Sequence, residues 1–148
     1  MLFTFRRAML EFTKWSELRL RQVGLTPQQY LLLLSLRVRE GGHGLRAPRM
    51  GDVADDLLIA PNSAVELVTR AEALGLVRRT RDAADQRVVR ITLTTHGQEL
   101  LVELASAHLA ELERAAGALH ISEEFLGTLA AAYLGRDRDP EKDRRENA

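Results

Sequence analysis

RMGDVADDLLIAPNSAVELVTRAEALGLVRRTRDAADQRVVRITLT, residues 49–94, decides how the rest of the chain is read. Its first piece places Met50, Val53, Ala54, Leu57 and Leu58 on one face, the recurrence of an amphipathic helix. Pro61 then suits the first turn of a second helix, where its missing N–H has no helical partner to lose. Along that helix Ala64, Leu67, Val68, Ala71 and Gly75 share an apolar side. Asn62, Glu66, Thr69 and Ala73 centre on the opposite side, with Ser63 and Arg70 on its flank. Gly75 sits where the helix should stop. Two short helices joined by a few residues, the second with a polar face turned outward, make a helix-turn-helix pattern.

Beyond it, residues 76–81 and 87–93 are β-type runs. Val89, Ile91 and Leu93 alternate with Val88, Arg90 and Thr92, and a polar turn, Asp82-Ala-Ala-Asp85-Gln86, joins the two runs. The hairpin carries five arginines (Arg78, Arg79, Arg81, Arg87, Arg90) against Asp82 and Asp85. A basic hairpin beside a helix-turn-helix suits contact with phosphates and insertion into a minor groove.

The run LVTRAEALGLVRRTRDAADQRVVRITLTTHG, residues 67–97, resembles the signature of the MarR family of winged-helix transcription regulators. The match is carried by Gly75-Leu76-Val77, Arg78-Arg79, Asp82, Asp85-Gln86-Arg87 and Leu93-Thr94-Thr95-His96-Gly97; Gln86 departs from the pattern, since the family often has arginine there. With the preceding helices the matching core covers about a third of the chain. The resemblance implies a mainly α fold with a small antiparallel β wing, a winged helix-turn-helix flanked by N- and C-terminal dimerisation helices. It also implies a homodimer on double-stranded DNA with a pseudo-palindromic site. The function to expect is transcriptional repression modulated by a small phenolic or aromatic carboxylate effector.

The residues expected to meet DNA are Asn62, Ser63, Glu66, Thr69 and Arg70 on the second helix and Arg79, Arg81, Asp85, Arg87 and Arg90 in the wing. Asn62 can pair with adenine in a bidentate fashion, and Ser63 near a helix N-terminus can hold a phosphate. Glu66 is the awkward member: it must accept from a cytosine amino group or sit away from the backbone. The Asp-x-Arg match carries the family's minor-groove role to Arg87, with Asp85 expected to pre-orient its guanidinium. For the effector, Trp15, Arg19 and Tyr30 are the candidate cleft residues; Trp15 and Arg19 are i, i+4 neighbours, so a ring contact and a carboxylate partner can face one space. The bland alternatives are a solvated helix face, a surface ion pair between Asp85 and Arg87, and a core Trp15 and Tyr30.

The flanks agree with this order. Leu2, Phe5, Met9, Phe12, Trp15 and Leu18 give a first helix over residues 1–24 with a broad apolar face. Thr26-Pro27-Gln28-Gln29 is a capping box opening a buried helix over 30–38, broken by Glu40-Gly-Gly-His-Gly44. Leu45-Arg46-Ala47 is then expected as a short strand joining the wing. Thr95-His96-Gly97-Gln98 reads as a second capping box opening a long helix to about Ala116, weakened by Gly117. Ser122 caps a last helix that Gly135 ends. The division expected is residues 1–25 with 96–135 as a dimerisation region, 26–95 as the DNA-binding region, and 136–148 as a charged, disordered tail.

Composition bounds the alternatives. In 148 residues, 45% are apolar and 28% charged, enough for one core. There is no cysteine, which removes disulfides and thiol switches. No run is long and apolar enough to span a bilayer, and the N-terminus lacks a signal-peptide pattern, so a cytoplasmic protein without membrane partners is expected. His43, His96, His108 and His120 are scattered, so no metal site is expected, and no catalytic constellation or cofactor motif is present. Twenty-one basic residues balance 21 acidic ones. That neutrality keeps open a rival reading, a winged-helix protein-interaction module that does not bind DNA specifically.

Overall fold

The computed structural model describes residues 1–41 and 46–134. Six helices and one hairpin follow in the expected order: α1 (Leu2–Gln22), α2 (Pro27–Gly41), α3 (Met50–Leu57), α4 (Pro61–Ala73), β1 (Val77–Arg81), β2 (Val89–Leu93), α5 (Thr95–Leu119) and α6 (Glu123–Leu134). The fold is mainly α with a two-stranded antiparallel sheet, as the residue pattern requires. The glycine break at 42–44 with His43, Leu45 of the expected strand, Gly135 and the tail at 136–148 lie outside the described residues.

Each boundary has a local cause. Thr26 and Gln29 form the reciprocal box: the Gln29 N–H donates to Thr26 Oγ1 at 3.2 Å, and the Thr26 N–H donates to Gln29 Oε1 at 3.0 Å. In α3, Val53, Ala54 and Leu57 are buried as expected, but Leu58 is not. Helix α3 ends at Leu57, and Leu58 takes a left-handed conformation (φ 54°) with its side chain 92% exposed. The Ile59 N–H then reaches back to the Ala54 carbonyl at 3.0 Å, so Ile59 turns toward the core in place of Leu58. Helix α4 buries Ala64, Leu67, Val68 and Ala71 and exposes the opposite side.

Two expectations about the wing's neighbours are corrected. Arg46 and Ala47 form no strand; the pairing falls later, as one antiparallel bridge between Arg49 and Arg90, with the Ile91 N–H donating to the Pro48 carbonyl at 2.9 Å. Pro48 has no N–H to return, which stops the ladder from extending through it. The cap of α5 is Thr94, not Thr95: Thr94 Oγ1 accepts from the Gly97 N–H at 3.0 Å. Helix α5 also runs past Gly117 to Leu119. Ser122 caps α6 as expected, accepting from the Phe125 N–H at 3.2 Å.

One buried cluster ties these elements together. Leu20 of α1, Leu25 in the turn after it, Leu32, Leu33 and Leu36 of α2, Val53 of α3, Val68 of α4, Ile91 of β2, and Leu101 and Leu104 of α5 pack into a continuous core. Arg39 forks onto Asp56 at 2.7 and 2.8 Å, with Ser35 donating to the same carboxylate, which clamps α2 to α3. The wing is attached at its base: Val77 pairs with Leu93, both buried, while Val89 at the far end of the register is exposed.

Where the wing enters α5 the backbones nearly touch. A Cβ on Gly97 would lie 2.0 Å from the Leu76 carbonyl oxygen, a backbone atom that cannot swing away. Gly97→Ala is therefore expected to destabilise the fold by at least about 2 kcal/mol in urea unfolding, because relief requires moving α5 off the wing. Gly117→Ala, in open space within the same helix, should instead stabilise by about 0.5–1 kcal/mol. Equal effects from the two substitutions would contradict the close approach.

Candidate nucleic-acid interface and inner cavity

The outer side of α4 carries Asn62, Ser63, Glu66, Thr69 and Arg70, all exposed and on one surface. Glu66 faces Arg70 one turn on, at 3.6 Å, so its charge is partly compensated. Thr69 is engaged within the protein: its hydroxyl donates to the Val65 carbonyl at 2.8 Å and accepts from an Arg79 NH2 group at 2.9 Å. Arg79 also pairs with Glu72, whose carboxylate accepts the Arg79 backbone N–H at 3.2 Å. Strand β1 is thereby fastened to α4 through side chains as well as through the turn at Gly75.

Of the wing arginines, Arg79, Arg81 and Arg90 act as braces, Arg78 is exposed on β1, and Arg87 stands at the tip. Arg90 is largely covered, 15% exposed, and donates from Nε to Asp82 Oδ2 at 2.5 Å and from NH1 to the Ala47 carbonyl at 2.7 Å. Arg81 donates to the Gln86 carbonyl at 2.8 Å, closing the turn across its mouth. Asp82 organises the turn from the other side, its Oδ1 accepting from the Ala84 and Asp85 N–H groups at 2.8 and 3.3 Å. Arg87 is different: its side chain is 95% exposed, and its Nε lies 3.8 Å from Asp85, too far for a hydrogen bond. Asp85 instead accepts the Arg87 backbone N–H at 3.1 Å. It fixes the backbone beneath Arg87 rather than the guanidinium.

Of the three candidate effector residues, the structure brings only Tyr30 to a cavity. That cavity, about 250 Å³, opens between α1, α2, α5 and α6 and is walled by Phe12, Tyr30, His108, Leu112, Leu129 and Tyr133 among others. Trp15 packs behind the wall, its ring centroid 5.0 Å from that of His108. Arg19 turns away to Glu103 on α5 at 3.1 Å and to Gln22 at 3.1 Å. The expectation that Trp15 and Arg19 face one space is not met, because the cation found a carboxylate partner at the surface instead.

His108 was legible only as one of four scattered histidines, yet it is buried at the centre of this region. Its Nδ1 lies 2.7 Å from the Leu104 carbonyl, and a carbonyl can only accept, so Nδ1 carries the proton. Nε2 then accepts from the Ser16 hydroxyl at 2.7 Å. Burial pushes the His108 pKa down, outweighing the hydrogen bond to Leu104, and the charge of Arg19 pushes the same way. The ring is neutral, its centroid 4.6 Å from that of Tyr30 with the two planes tilted by 31°. Burial, with Tyr133 adding to it, raises the Tyr30 pKa, so that phenol is neutral too. The signal in the sequence was spacing: His108 falls on the same stripe of α5 as Leu101, Leu104 and Leu112.

Among the described residues no group of three or more His, Asp or Glu could hold a metal ion, and no helix is long and apolar enough to cross a membrane. The Arg90 guanidinium, followed by the turn's N–H groups, holds the Asp82 carboxyl down at about 2. Since the unfolded value lies near 3.9, this carboxylate stabilises the wing above about pH 4 and ceases to do so as pH falls toward 2. The carboxyl carbon of Asp82, followed by NMR, should titrate with a midpoint of about 2 and lose the Ala84 amide's protection over the same range. A midpoint near 4 would mean that the Arg90 brace is not formed.

Comparison with known proteins agrees with this architecture. The MarR family pattern matches residues 23–88, from the end of α1 to the wing tip. Over 85 residues the chain is 31% identical to YsmB of Bacillus subtilis, an HTH-type transcriptional regulator, covering 57% of this chain and 54% of YsmB. The chain spans about half the length of the curated relatives it matches. Among solved structures, AbsC from Streptomyces coelicolor, a MarR family transcriptional regulator, superposes with a TM-score of 0.64 at 27% identity, over 99% of this chain and 93% of AbsC. A variant of S. aureus MepR bound to an oligodeoxyribonucleotide gives 0.65 at 25% identity, over 99% and 96%. The signature around the wing, the fold it produces and these likenesses agree: the chain is similar to the MarR family of winged-helix transcription regulators, over residues 23–88 in sequence pattern and over nearly its whole length in fold.

Proposed function

We propose that the protein is a homodimeric, sequence-specific DNA-binding regulator acting in the cytoplasm, a repressor whose grip on DNA is weakened by a small ligand. The observation that carries the DNA reading is Arg87. A nearly fully exposed cation stands at the tip of a braced wing, beside a helix with an exposed polar face. A flexible, solvated arginine needs no such scaffold; a residue that enters a minor groove does. The MepR variant bound to an oligodeoxyribonucleotide supports the DNA-binding reading by likeness of fold. Asn62, Ser63, Glu66 and Arg70 form the major-groove set, with Asp85 positioning the wing tip and Arg79, Arg81 and Arg90 acting as braces.

Dimerisation is supported by the N-terminal part of α1, where Leu2, Phe3 and Leu10 are 73%, 76% and 63% exposed, and by Phe125 on α6 at 52%. Apolar surface of that extent at the chain's ends calls for a partner surface. A two-fold pair would set two α4 helices about 34–36 Å apart, in successive major grooves, and such a body laid over a promoter occludes it.

The cavity supports a neutral effector. Its polar atoms are the hydroxyls of Tyr30 and Tyr133 and a His108 whose two nitrogens are already occupied, with Arg19 paired elsewhere. An aromatic carboxylate would enter without a counter-charge, whereas a phenol can bond to the tyrosine hydroxyls. A cavity of about 150 Å³ lined by apolar side chains is enough for benzene, so about 250 Å³ takes one or two rings. The ligand acts only through its differential affinity for the DNA-competent and DNA-incompetent dimers.

Selection from a random duplex pool near 150 mM salt should enrich a palindrome with half-sites about 10 base pairs apart. Arg87→Ala should then weaken binding by about tenfold or more with the dimer intact. If a folded dimer enriches no motif, the protein-interaction module becomes the better account, a reading the balanced charge favours. For the effector, 2-naphthol should raise the thermal midpoint and weaken DNA binding, while 2-naphthoate at pH 7 does neither. Tighter binding of the naphthoate would overturn the neutral-ligand reading.

A further inference from the structure

We infer that Val65 and the methyl group of Thr69 read the 5-methyl groups of thymine, making them specificity-determining residues of α4. This rests on the reading that α4 enters a major groove. Val65 is 44% exposed, an apolar β-branched side chain on a helix whose remaining exposed side chains past Pro61 are mostly polar. A solvent face gives it no reason to be valine, since alanine or a long polar residue favours the helix more. Thr69 lies one turn further on the same flank, so the two side chains form one stripe.

The hydrogen bonds of Thr69 sharpen the point. A hydroxyl has a single proton, and that of Thr69 goes to the Val65 carbonyl at 2.8 Å. The oxygen also accepts from Arg79 at 2.9 Å, and Arg79 is held in place by Glu72. Thr69 therefore has no proton to donate to a base edge, and the part left for apolar contact is its methyl group. The expectation that Thr69 is a polar reader gives way to a different role: hydroxyl inward as an anchor, methyl available to DNA.

Among the four bases only thymine presents an apolar group in the major groove, the methyl at C5. An apolar stripe gains nothing from the amino and carbonyl edges of the others. Glu66 lies further round α4, nearer Arg70, and suits a cytosine amino group, so the helix combines one acceptor with one methyl-reading flank. Cytosine methylated at C5 places its methyl where thymine does. Binding at the position read by Val65 should therefore respond to cytosine methylation as well.

The test uses the full chain and the duplex enriched from the random pool. Each thymine in one half-site is replaced in turn by deoxyuridine, which lacks only the methyl, and affinities are measured for the wild type and for Val65→Ala. The wild type should lose about fourfold at one or two positions, the value of one buried methyl group. Val65→Ala should bind the parent duplex correspondingly less well and show no further loss at one of those positions. Replacing the same thymine by deoxycytidine should weaken the wild type, and 5-methyldeoxycytidine should restore part of the loss. Val65→Ala raises helix propensity on an exposed face, and a thermal midpoint no lower than that of the wild type confirms that it folds. Deoxyuridine losses identical in both proteins, or no loss anywhere, would overturn the proposal. So would an unaltered affinity of Val65→Ala for the parent duplex. Failure to enrich any duplex would remove the DNA reading itself, a result distinct from these.

Discussion

The close approach of Gly97 to the Leu76 backbone holds the working parts of this molecule in register. The Leu76 carbonyl accepts the Thr94 N–H at 3.0 Å, while the Thr94 hydroxyl donates to the Gly75 carbonyl at 2.5 Å and accepts the Gly97 N–H. Four residues thus join the end of α4, both ends of the wing and the first turn of α5. A helix can start this close to a strand only if its third residue has no side chain. Because α5 is 25 residues long, its direction carries the position of the wing out to α6 and the cavity. A small shift at the junction is magnified along that length.

Outward from the junction, the basic residues are sorted by what surrounds them. Arg39, Arg79 and Arg90 are bound to carboxylates that they share with backbone or hydroxyl groups, and each spans two elements. These partly buried, multiply bonded pairs hold geometry where a single exposed pair contributes little. Arg87 is left with a long contact to Asp85 and nearly full exposure. Equal total numbers of acidic and basic residues therefore do not mean an evenly neutral surface. Three acids, Asp56, Glu72 and Asp82, are used inside the arginine braces, while at the wing tip Arg87 stays exposed.

The cavity is formed by the same economy of contacts. His108 packs against Phe12 and Trp15 of α1 and Tyr30 of α2. It is bonded to Ser16, so a single side chain of α5 touches both α1 and α2. On the proposed ligand-responsive reading, filling that space would act on the packing of α1 against α5, with a strength set by how differently a ligand binds the two arrangements.

The order of elements, the helix-turn-helix, the hairpin and the buried face of α4 were legible in the sequence, because each depends on local periodicity and on Pro61, Gly75 and the capping residues. So was the likeness to the MarR family, through the spacing of Gly75 to Gly97. Errors fell where neighbours compete by one residue. Thr94 and Thr95 are both able caps, and only the Gly75 carbonyl selects Thr94; Leu58 fits the apolar stripe of α3, and only the left-handed turn expels it. The fates of the arginines were not legible at all. Arg87 and Arg90 look alike in the sequence, yet Arg90 is bonded to Asp82 and to the Ala47 carbonyl, 43 residues away, and Arg87 is left exposed. The same holds for Arg19, drawn to Glu103, and for His108, brought to Tyr30 and Ser16. Sequence determines which segments are helix or strand and which face is apolar, since those are nearest-neighbour properties. Which charge is paired, which ring meets which, and where space remains are set by contacts between distant segments, and only the tertiary structure decides them.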